Sequence, residues 1–341
     1  MVVTPAKRGS ALAVTVGGLI LLAALFVASL YLGSGDLSAA QVTRTLGAWL
    51  GGQAPSDTTS LIILERRVPR GIIAITAGAA LGLAGTLMQA LTRNPLADPG
   101  LLGVSVGAYA AIVVTSAFIG VSVASTHVWA AMIGALVVAA LVYAIGTTGP
   151  MGGSAVKLVL AGVAVGAVLQ GLSATISLSM PEVFDRVRFW AVGSLQGRTM
   201  NDAAVTLPFI LVGALIALVL QRSLNALALG DDNAIALGSH PTRTRIVGLV
   251  AVTLLTGAAT AAAGPLAFVG LIVPHALRML VGPDHRRLIP LSMIAAPVLL
   301  LSADILGRLV LSSELPAGTV TAIIGAPVLI ALVRSRAVKG L

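Results

Sequence analysis

The sequence predicts an all-α, polytopic membrane protein with about ten transmembrane helices. Only 10% of the 341 residues are charged and 57% are hydrophobic, whereas about a quarter of the residues in soluble domains are charged. The mean hydropathy is +1.02. Long runs lack Asp, Glu, Lys and Arg, and about 20 apolar residues in a helix are enough to cross a bilayer. This much apolar surface can be hidden only in lipid, so one transmembrane domain is expected over residues 1–341.

The ionisable residues separate the apolar runs and so locate the helices. The runs 99–156 and 246–277 are each long enough for a helical hairpin, with turns expected at 120–126 and at Gly264-Pro265. The first run exceeds the 7–15 residues of a signal-peptide core, so we interpret it as a retained helix. The predicted helices are 12–32, 71–91, 100–120, 128–146, 156–178, 203–221, 246–263, 265–281, 288–306 and 318–333.

Charge and small residues fit the same fold class. The net charge is +9, but the basic residues lie at the ends of apolar runs rather than along one face, which favours lipid contact over nucleic acid. More of them fall on the side that holds the N-terminus, which predicts that both termini are cytoplasmic. The 38 glycines suit closely packed membrane helices. The chain has no cysteine, which excludes disulfides and thiolate metal sites.

A short motif recurs along the chain. Gly78-Ala79-Ala80, followed by Ala84-Gly85, reappears as Gly257-Ala258-Ala259, followed by Ala263-Gly264. In the ten-helix arrangement the two copies run in opposite directions across the membrane. They indicate either an inverted repeat, which is common in transporters, or a chance likeness between helices rich in Gly and Ala.

The segment 94–100, Asn-Pro-Leu-Ala-Asp-Pro-Gly, is the strongest single motif. Its two prolines and its glycine stop a helix, and Asp98 before Pro99 can start the next one. We expect a tight turn on the cytoplasmic side. Such a stiff turn can also hold a side chain across a pore, as a gate does.

The segment 224–241 is long for a loop between helices and is not polar throughout. Asp231 or Asp232 is expected to cap a short helix, 233–237, that ends at Gly238. The apolar face of this helix either packs beneath the membrane helices of the same chain or docks into a groove of a soluble partner. Docking is the favoured interpretation.

Two further charged segments lie at predicted helix ends. At 282–287, Asp284 and His285 suggest either a proton relay or, as we prefer, a solvated cytoplasmic turn. At 65–70, three arginines lie on the predicted outer face, against the usual distribution of positive charge. They either anchor a helix end or meet an acidic partner.

Several catalytic classes lack their residues. None of the three lysines follows a glycine, so no phosphate-binding loop of the Gly-Lys-Ser/Thr type exists and the chain should not hydrolyse ATP by that route. The histidines show no metal-ligand spacing, and no Gly-x-Ser-x-Gly is present. Helix interiors carry almost no ionisable residues, which weakens the alternative of an ion-coupled carrier working alone. The chain is therefore predicted to be a transport subunit and not an enzyme.

Together the motifs resemble those of the FecCD-type permeases, the membrane subunits of ABC importers for ferric siderophores, haem and cobalamin. The likeness spans residues from about 60 to 333. The matching blocks are Pro69-Arg70, Gly85 with Met88-Gln89, and the segments 93–105, 160–163, 190–195, 224–230, 263–275, 282–286 and 314–318.

This resemblance implies a type II importer permease in a bacterial plasma membrane. Two permease subunits, identical or paralogous, would enclose a pathway. An extracytoplasmic binding protein would deliver the substrate, and two ATPase subunits would bind ATP and Mg²⁺, so this chain itself would hold no cofactor. A ferric siderophore is the expected substrate, with haem or cobalamin as alternatives.

The resemblance also implies roles for particular residues. The loop that couples the chain to the ATPase would include Leu224, Gly230, Asp231, Asp232, Ala236, Leu237, Gly238, Asp284, His285 and Arg286. The binding protein would dock on Arg67, Arg70 and Arg308, while Arg66 departs from the family pattern. The cytoplasmic gate would include Asn94 and Leu96 with the turn from Thr147 to Ser154. Gln170, Ser173 and Thr175 would line the pathway.

Overall fold

A computed structural model describes residues 8–33, 37–52, 57–119, 124–148, 155–311 and 314–334. A π-helical turn, Ile62–Arg67, precedes α4, and a 3-10 turn, Pro99–Leu102, precedes α5. The helices are α1 (Arg8–Tyr31), α2 (Ala39–Leu50), α3 (Thr58–Leu61), α4 (Val68–Thr92), α5 (Val104–Phe118), α6 (Ala124–Thr147), α7 (Ala155–Ser179), α8 (Pro181–Ala191), α9 (Met200–Ala228), α10 (Asp231–Ala236), α11 (Pro241–Ala263), α12 (Val269–Val281), α13 (His285–Val310) and α14 (Ala317–Arg334).

The predicted fold class is confirmed, since the described residues form helices and turns without strands. Within the described ranges, seven helical segments are long and apolar enough to cross a membrane, and three shorter apolar helices, α5, α12 and α14, accompany them. Two amphipathic helices, α2 and α8, lie outside the predicted transmembrane helices, between the first and second and between the fifth and sixth. Their charged and polar residues interrupt the apolar runs, so counting runs could not find them.

Helix α4 lies at the centre of the bundle and packs against α9, α11, α12 and α13. Small residues allow this close packing. A Cβ atom added to Gly85 would lie 1.8 Å from the carbonyl oxygen of Gly270, and one added to Gly82 would lie 2.6 Å from that of Ser292. Thr86 adds a 2.8 Å hydrogen bond between its hydroxyl and that of Ser292. The glycines of α4 thus bring the backbones of α12 and α13 into close contact with it.

The turn at Gly264-Pro265 does not lead directly into a helix. The predicted helix 265–281 begins instead at Val269, after an irregular stretch in which Gly264 and Phe268 have positive φ angles of 77° and 68°. This stretch packs closely on the segment after α8, because a Cβ on Gly193 would lie 2.3 Å from the carbonyl oxygen of Pro265. Irregular backbone within a membrane domain is tolerated when it is buried in protein in this way.

Candidate functional site

Three arginines and two carboxylates meet at the N-terminal end of α4, and we call Arg67, Arg70, Asp304, Arg308 and Glu314 the arginine cluster. Arg70 donates from Nε and Nη2 to Asp304 at 2.8–3.1 Å. Its Nη1 donates to Glu314 at 2.7 Å. Arg308, one helical turn beyond Asp304, pairs with the same carboxylate. The cluster therefore ties α4 to α13 and to the segment after it.

Two members of the arginine cluster also hold the end of α1. Arg67 donates from Nη1 to the carbonyl oxygen of Leu30 at 2.7 Å, and Arg308 donates to that of Ser29 at 2.8 Å. The last carbonyls of a helix have no partner within it and carry partial negative charge, so a guanidinium group stabilises them. This contact gives a structural reason for basic residues on the side where few were expected.

The sequence had suggested that Arg67, Arg70 and Arg308 form an accessible docking patch. In the structure all three are buried, with exposed fractions of 5%, 9% and 6%. Arg66, the arginine that departs from the family pattern, is the exposed one beside them. Contact between the three buried arginines and a partner stays a prediction, and their internal bonds are what the structure shows.

At the opposite end of α4, about 37 Å away at 1.5 Å per residue, the short helix α10 projects from the bundle. Ala234 is fully buried and anchors it, whereas Ile235 and Leu237 are 61% and 65% exposed. The helix ends at Ala236, and Gly238 follows with a φ of 76° and donates its N–H to the carbonyl oxygen of Ile235 at 2.9 Å. Large exposed apolar side chains at a polar helix end are typical of a contact surface.

Asp231 does not cap α10. The helix begins at Asp231 and its N-cap is Gly230, which has no side chain to accept a bond, so the predicted capping by Asp231 or Asp232 is wrong. Asp231 instead pairs with Arg93, just before the turn at 94–100 that is predicted to form the gate, and accepts two 2.8 Å bonds from Arg245 of α11. The bonds from Arg245, and then those from Arg93, hold the pKa of Asp231 below its ordinary value despite the opposing effect of burial.

The other residues predicted for the coupling loop lie in α10 and in the neighbouring ends of α9 and α13. Leu224 is fully buried in α9. Asp232, Ala236, Leu237, Gly238 and Arg286 are exposed. In this loop Asp231 is held by its ion pairs with Arg93 and Arg245. The accessible surface of the loop begins at Asp232.

The turn before α13 is not a solvated turn throughout. His285 is only 6% exposed, and Asn225 of α9 holds it, because the backbone N–H of His285 donates to Asn225 Oδ1 at 2.9 Å. Asp284 caps α13 by accepting from the N–H of Arg286, and it also accepts from Asn225. Burial opposes these two bonds, but together they hold the pKa of Asp284 below its ordinary value.

The segment predicted to form the gate is a stiff turn. Arg93 has a φ of 51° and ends α4. The side chain of Asn94 accepts from the N–H of Leu96 at 3.0 Å, and its carbonyl accepts from the N–H of Ala97 at 3.1 Å. Asn94 is exposed and Leu96 is half-buried. Asp98 accepts from the N–H of Gly100 at 2.7 Å and starts the 3-10 turn before α5, which explains why α5 begins at 104 rather than 100.

The remaining predicted residues lie on α6 and α7. Thr147 is on the last turn of α6, where its hydroxyl donates to the carbonyl of Tyr143 at 2.9 Å, and Ser154 lies outside the described residues. On α7, Gln170 and Thr175 are exposed, and Gln170 lines a shallow cavity of about 280 Å³. Ser173 is 2% exposed and buried in the bundle, and its place in the pathway lining stays a prediction.

Sequence reasoning missed the partners that fix these residues. Asp304 and Glu314 in the arginine cluster, Arg245 beside Asp231, and Asn225 beside His285 were not singled out. Asp304 carries a local signal, because it lies four residues before Arg308 on a helix and such pairs meet on one face. The others join segments that are distant in sequence, so no local spacing reveals them.

Comparison with known proteins gives consistent results. The sequence profile described as the FecCD transport family matches residues 20–335. The chain is 49% identical to the ferric enterobactin transport system permease protein FepD of Escherichia coli (strain K12), over 95% of this chain and 96% of that protein. It is 35% identical to the hemin transport system permease protein HmuU of Yersinia pestis, over 87% and 90%. A solved structure described as an inward-facing metal-chelate type ABC transporter superposes with a TM-score of 0.80 at 28% identity, covering 93% of this chain and 97% of that one.

Proposed function

The chain belongs to the FecCD transport family, and from that membership we propose that it is the membrane-spanning subunit of an ATP-driven importer that carries a ferric siderophore into a bacterial cell. The family match over residues 20–335 carries the proposal. The importer lies in the plasma membrane with both termini of this chain in the cytoplasm. A second permease subunit, identical or paralogous, completes the pathway.

The substrate follows from the degree of likeness. A ferric enterobactin permease shares 49% of its residues with this chain, whereas a hemin permease shares 35%. We therefore favour a ferric siderophore, and a haem or cobalamin complex is the alternative. The chain itself is a pathway and holds no cofactor, while ATP and Mg²⁺ bind to two separate ATPase subunits.

We propose that α10 receives the motion of the ATPase. The observation in favour is that Ile235 and Leu237 project from a helix whose base is fixed by buried Ala234. A small, rigid helix with an exposed apolar face fits a groove on a soluble protein. Asp232, Ala236 and Gly238 border this face, and Arg286 lies on the neighbouring turn.

The bond between Asp231 and Arg93 supports a direct connection from α10 to the gate. Arg93 immediately precedes Asn94, and Leu96 follows two residues later in the same stiff turn. A displacement of α10 is therefore transmitted to this turn directly, through the ion pair between Asp231 and Arg93. It does not have to pass along a membrane-spanning helix. Leu96 then moves with the turn, and Thr147 at the end of α6 forms the facing side of the gate.

At the other end of the bundle we propose that the binding protein docks over the arginine cluster. Its three guanidinium groups face two carboxylates, so the cluster keeps a positive charge. Exposed Arg66 lies beside it. This field attracts an acidic surface before contact and speeds association. When the binding protein docks, there are two possibilities for Arg67, Arg70 and Arg308. They keep their bonds within the chain, or a carboxylate of the binding protein replaces one of their internal partners.

Substitution of Arg for Ala236 tests the coupling role. The exposed position admits the larger side chain without disturbing the bundle, but the added bulk and charge block a close contact. We expect the variant to insert into the membrane and to have the same unfolding midpoint as the parent protein. It should no longer co-purify with the ATPase subunits. The matched control is Arg in place of Ala48, a half-buried alanine of α2 near the opposite end. Undiminished co-purification of the Ala236→Arg variant would assign α10 to packing alone.

A further inference from the structure

A cavity of about 340 Å³ opens at the C-terminal end of α4, between the ends of α9 and α12 and the turn before α13. Its polar lining consists of Gln89, Arg93, Arg278 and His285. None of the described residues that line it is acidic. The cavity therefore presents two guanidinium groups and an imidazole to whatever enters it.

Arg278 is held in place but not neutralised. Its Nη2 donates to Oε1 of Gln89 at 2.5 Å, and Nε2 of the same glutamine donates to the carbonyls of Gly270 and Leu271 at 3.3 and 3.2 Å. Gln89 is thus fixed with its oxygen toward the arginine. Nη1 of Arg278 is buried, and in the described part of the chain it finds no acceptor, nor does Arg278 form an ion pair there. A buried donor of this kind is costly unless an acceptor comes from outside the chain.

The surrounding charges favour an anion as that acceptor. Arg93 shares the single carboxylate of Asp231 with Arg245, so this group of three residues keeps a positive charge. His285 lies at the first turn of α13, whose 26 residues direct the positive end of the helix dipole toward this region. Asp284 is the nearest acid in sequence, and its carboxylate is engaged by Asn225 and by the N–H of Arg286.

The neighbouring surface is strongly apolar. Met279 and Leu280 follow Arg278 directly and are 71% and 60% exposed, and Leu229, which follows the cavity residue Ala228, is 60% exposed. A basic hollow at the ends of membrane helices, next to exposed apolar side chains, matches an amphiphile with a negative head. Basic pockets between transmembrane helices bind the headgroups of anionic lipids in this manner.

We propose that this cavity binds a phosphate group, supplied by an anionic phospholipid, with Arg278 as its principal ligand and Arg93 beside it. The phosphate oxygens accept from Nη1 of Arg278, and the acyl chains lie along the exposed surface of α12. The proposal goes beyond the transport function and does not depend on it, because it requires only that this end of the bundle lies at a membrane surface.

The test uses the purified full chain, reconstituted in vesicles of equal parts phosphatidylglycerol and phosphatidylcholine and then re-extracted in detergent. Mass spectrometry counts the lipids that remain bound. We expect phosphatidylglycerol to be enriched, and Arg278→Gln to reduce its retention about five-fold, the effect of removing one basic residue from an anionic lipid surface. Arg222→Gln is the matched control, because Arg222 is exposed at the same end and does not line the cavity.

Each outcome has a consequence. If the unmodified chain retains the two lipids equally, the proposal is overturned. This comparison needs no variant, so it remains decisive even if Arg278→Gln fails to fold. Equal losses in Arg278→Gln and Arg222→Gln overturn it as well. If inorganic phosphate alone raises the thermal unfolding midpoint and Arg278→Gln abolishes that rise, the phosphate site stands with a free anion as its occupant. If neither phosphate nor lipid binds but ATPase association requires Arg278, the occupant is a protein carboxylate and the proposal is wrong.

Discussion

Replacing Asp231 with Asn should separate ATP hydrolysis from transport. The substitution keeps the shape of the side chain but removes the charge that pairs with Arg93 and Arg245. The side chains of the three residues are 35–42% exposed, so each pair contributes on the scale of surface pairs, about 0.2–1 kcal/mol. Because Arg245 donates two 2.8 Å bonds to Asp231, that ion pair lies at the upper end of this range. The two ion pairs of Asp231 together therefore contribute about 1–2 kcal/mol.

A loss of that size changes a conformational equilibrium about 5- to 30-fold. The bundle should remain folded, because the affected groups lie at its surface. We therefore expect ATP hydrolysis by the assembled importer to stay within about two-fold of the parent, while substrate moved per ATP falls at least about five-fold. High salt should produce part of the same effect in the unmodified protein by screening the pairs.

The assay measures uptake and ATP hydrolysis in the same proteoliposomes. Asp232→Asn is the matched control, because it removes an equal charge from the next residue, which is exposed and forms no ion pair in the described part of the chain. Arg93→Gln should reproduce the Asp231→Asn defect, since it breaks the same link to the gate turn. If Asp231→Asn and Asp232→Asn transport equally well per ATP, the link between α10 and the gate is not the route of coupling.

Three other substitutions test the remaining features. Leu96→Ala should increase the passive leak of a small solute from ATP-free vesicles, whereas Leu50→Ala on exposed α2 should not, and equal leak rates would place the gate elsewhere. Arg70→Ala leaves the buried carboxylate of Asp304 with one partner instead of two. It should destabilise the fold by about 1.5–3 kcal/mol, the scale of a hydrogen bond to a charged group, against less than about 0.5 kcal/mol for a surface change such as Arg66→Ala. Equal unfolding midpoints of the two variants would contradict this. Gly85→Ala should lower the unfolding midpoint because its Cβ would lie 1.8 Å from the carbonyl oxygen of Gly270. Gly171→Ala should not lower it, because the added Cβ has no atom within 4 Å and alanine favours the helix.

The positions of the long helices follow from the sequence, because a bilayer imposes a simple rule of length and polarity. The same rule fails at Gly264-Pro265. There the composition is apolar enough for a helix, but the backbone is irregular as far as Phe268 and packs on the segment after α8. Its contacts with Trp190 and Gly193 are tertiary, so local composition does not reveal them.

The roles of charged residues were harder to predict for a related reason. Asp231 lies in a favourable position to cap α10, yet it pairs with Arg93, 138 residues away. Arg70 was expected to be accessible, yet it binds Asp304, 234 residues away. Local spacing identifies which residues end helices, but the choice between a cap, an ion pair and a docking contact depends on partners from other helices.

The polar residues of α7 illustrate the same limit. A helix advances about 100° per residue, so Ser173 lies about 60° from Gln170 and Thr175 about 140° from it. Ser173 is nevertheless buried, whereas Gln170 and Thr175 are exposed. Burial on this helix therefore depends on the neighbouring helices, and the role of the three residues in the pathway stays a prediction.

The most direct test of the central claim is uptake of a radiolabelled ferric siderophore into proteoliposomes that contain this chain, its partner permease and the ATPase subunits, with the binding protein outside and ATP inside. The account predicts accumulation that requires ATP, the binding protein and this chain together, with ferric enterobactin as the first siderophore to try. Accumulation driven by an ion gradient with this chain alone, in the absence of ATP and the other subunits, would contradict it.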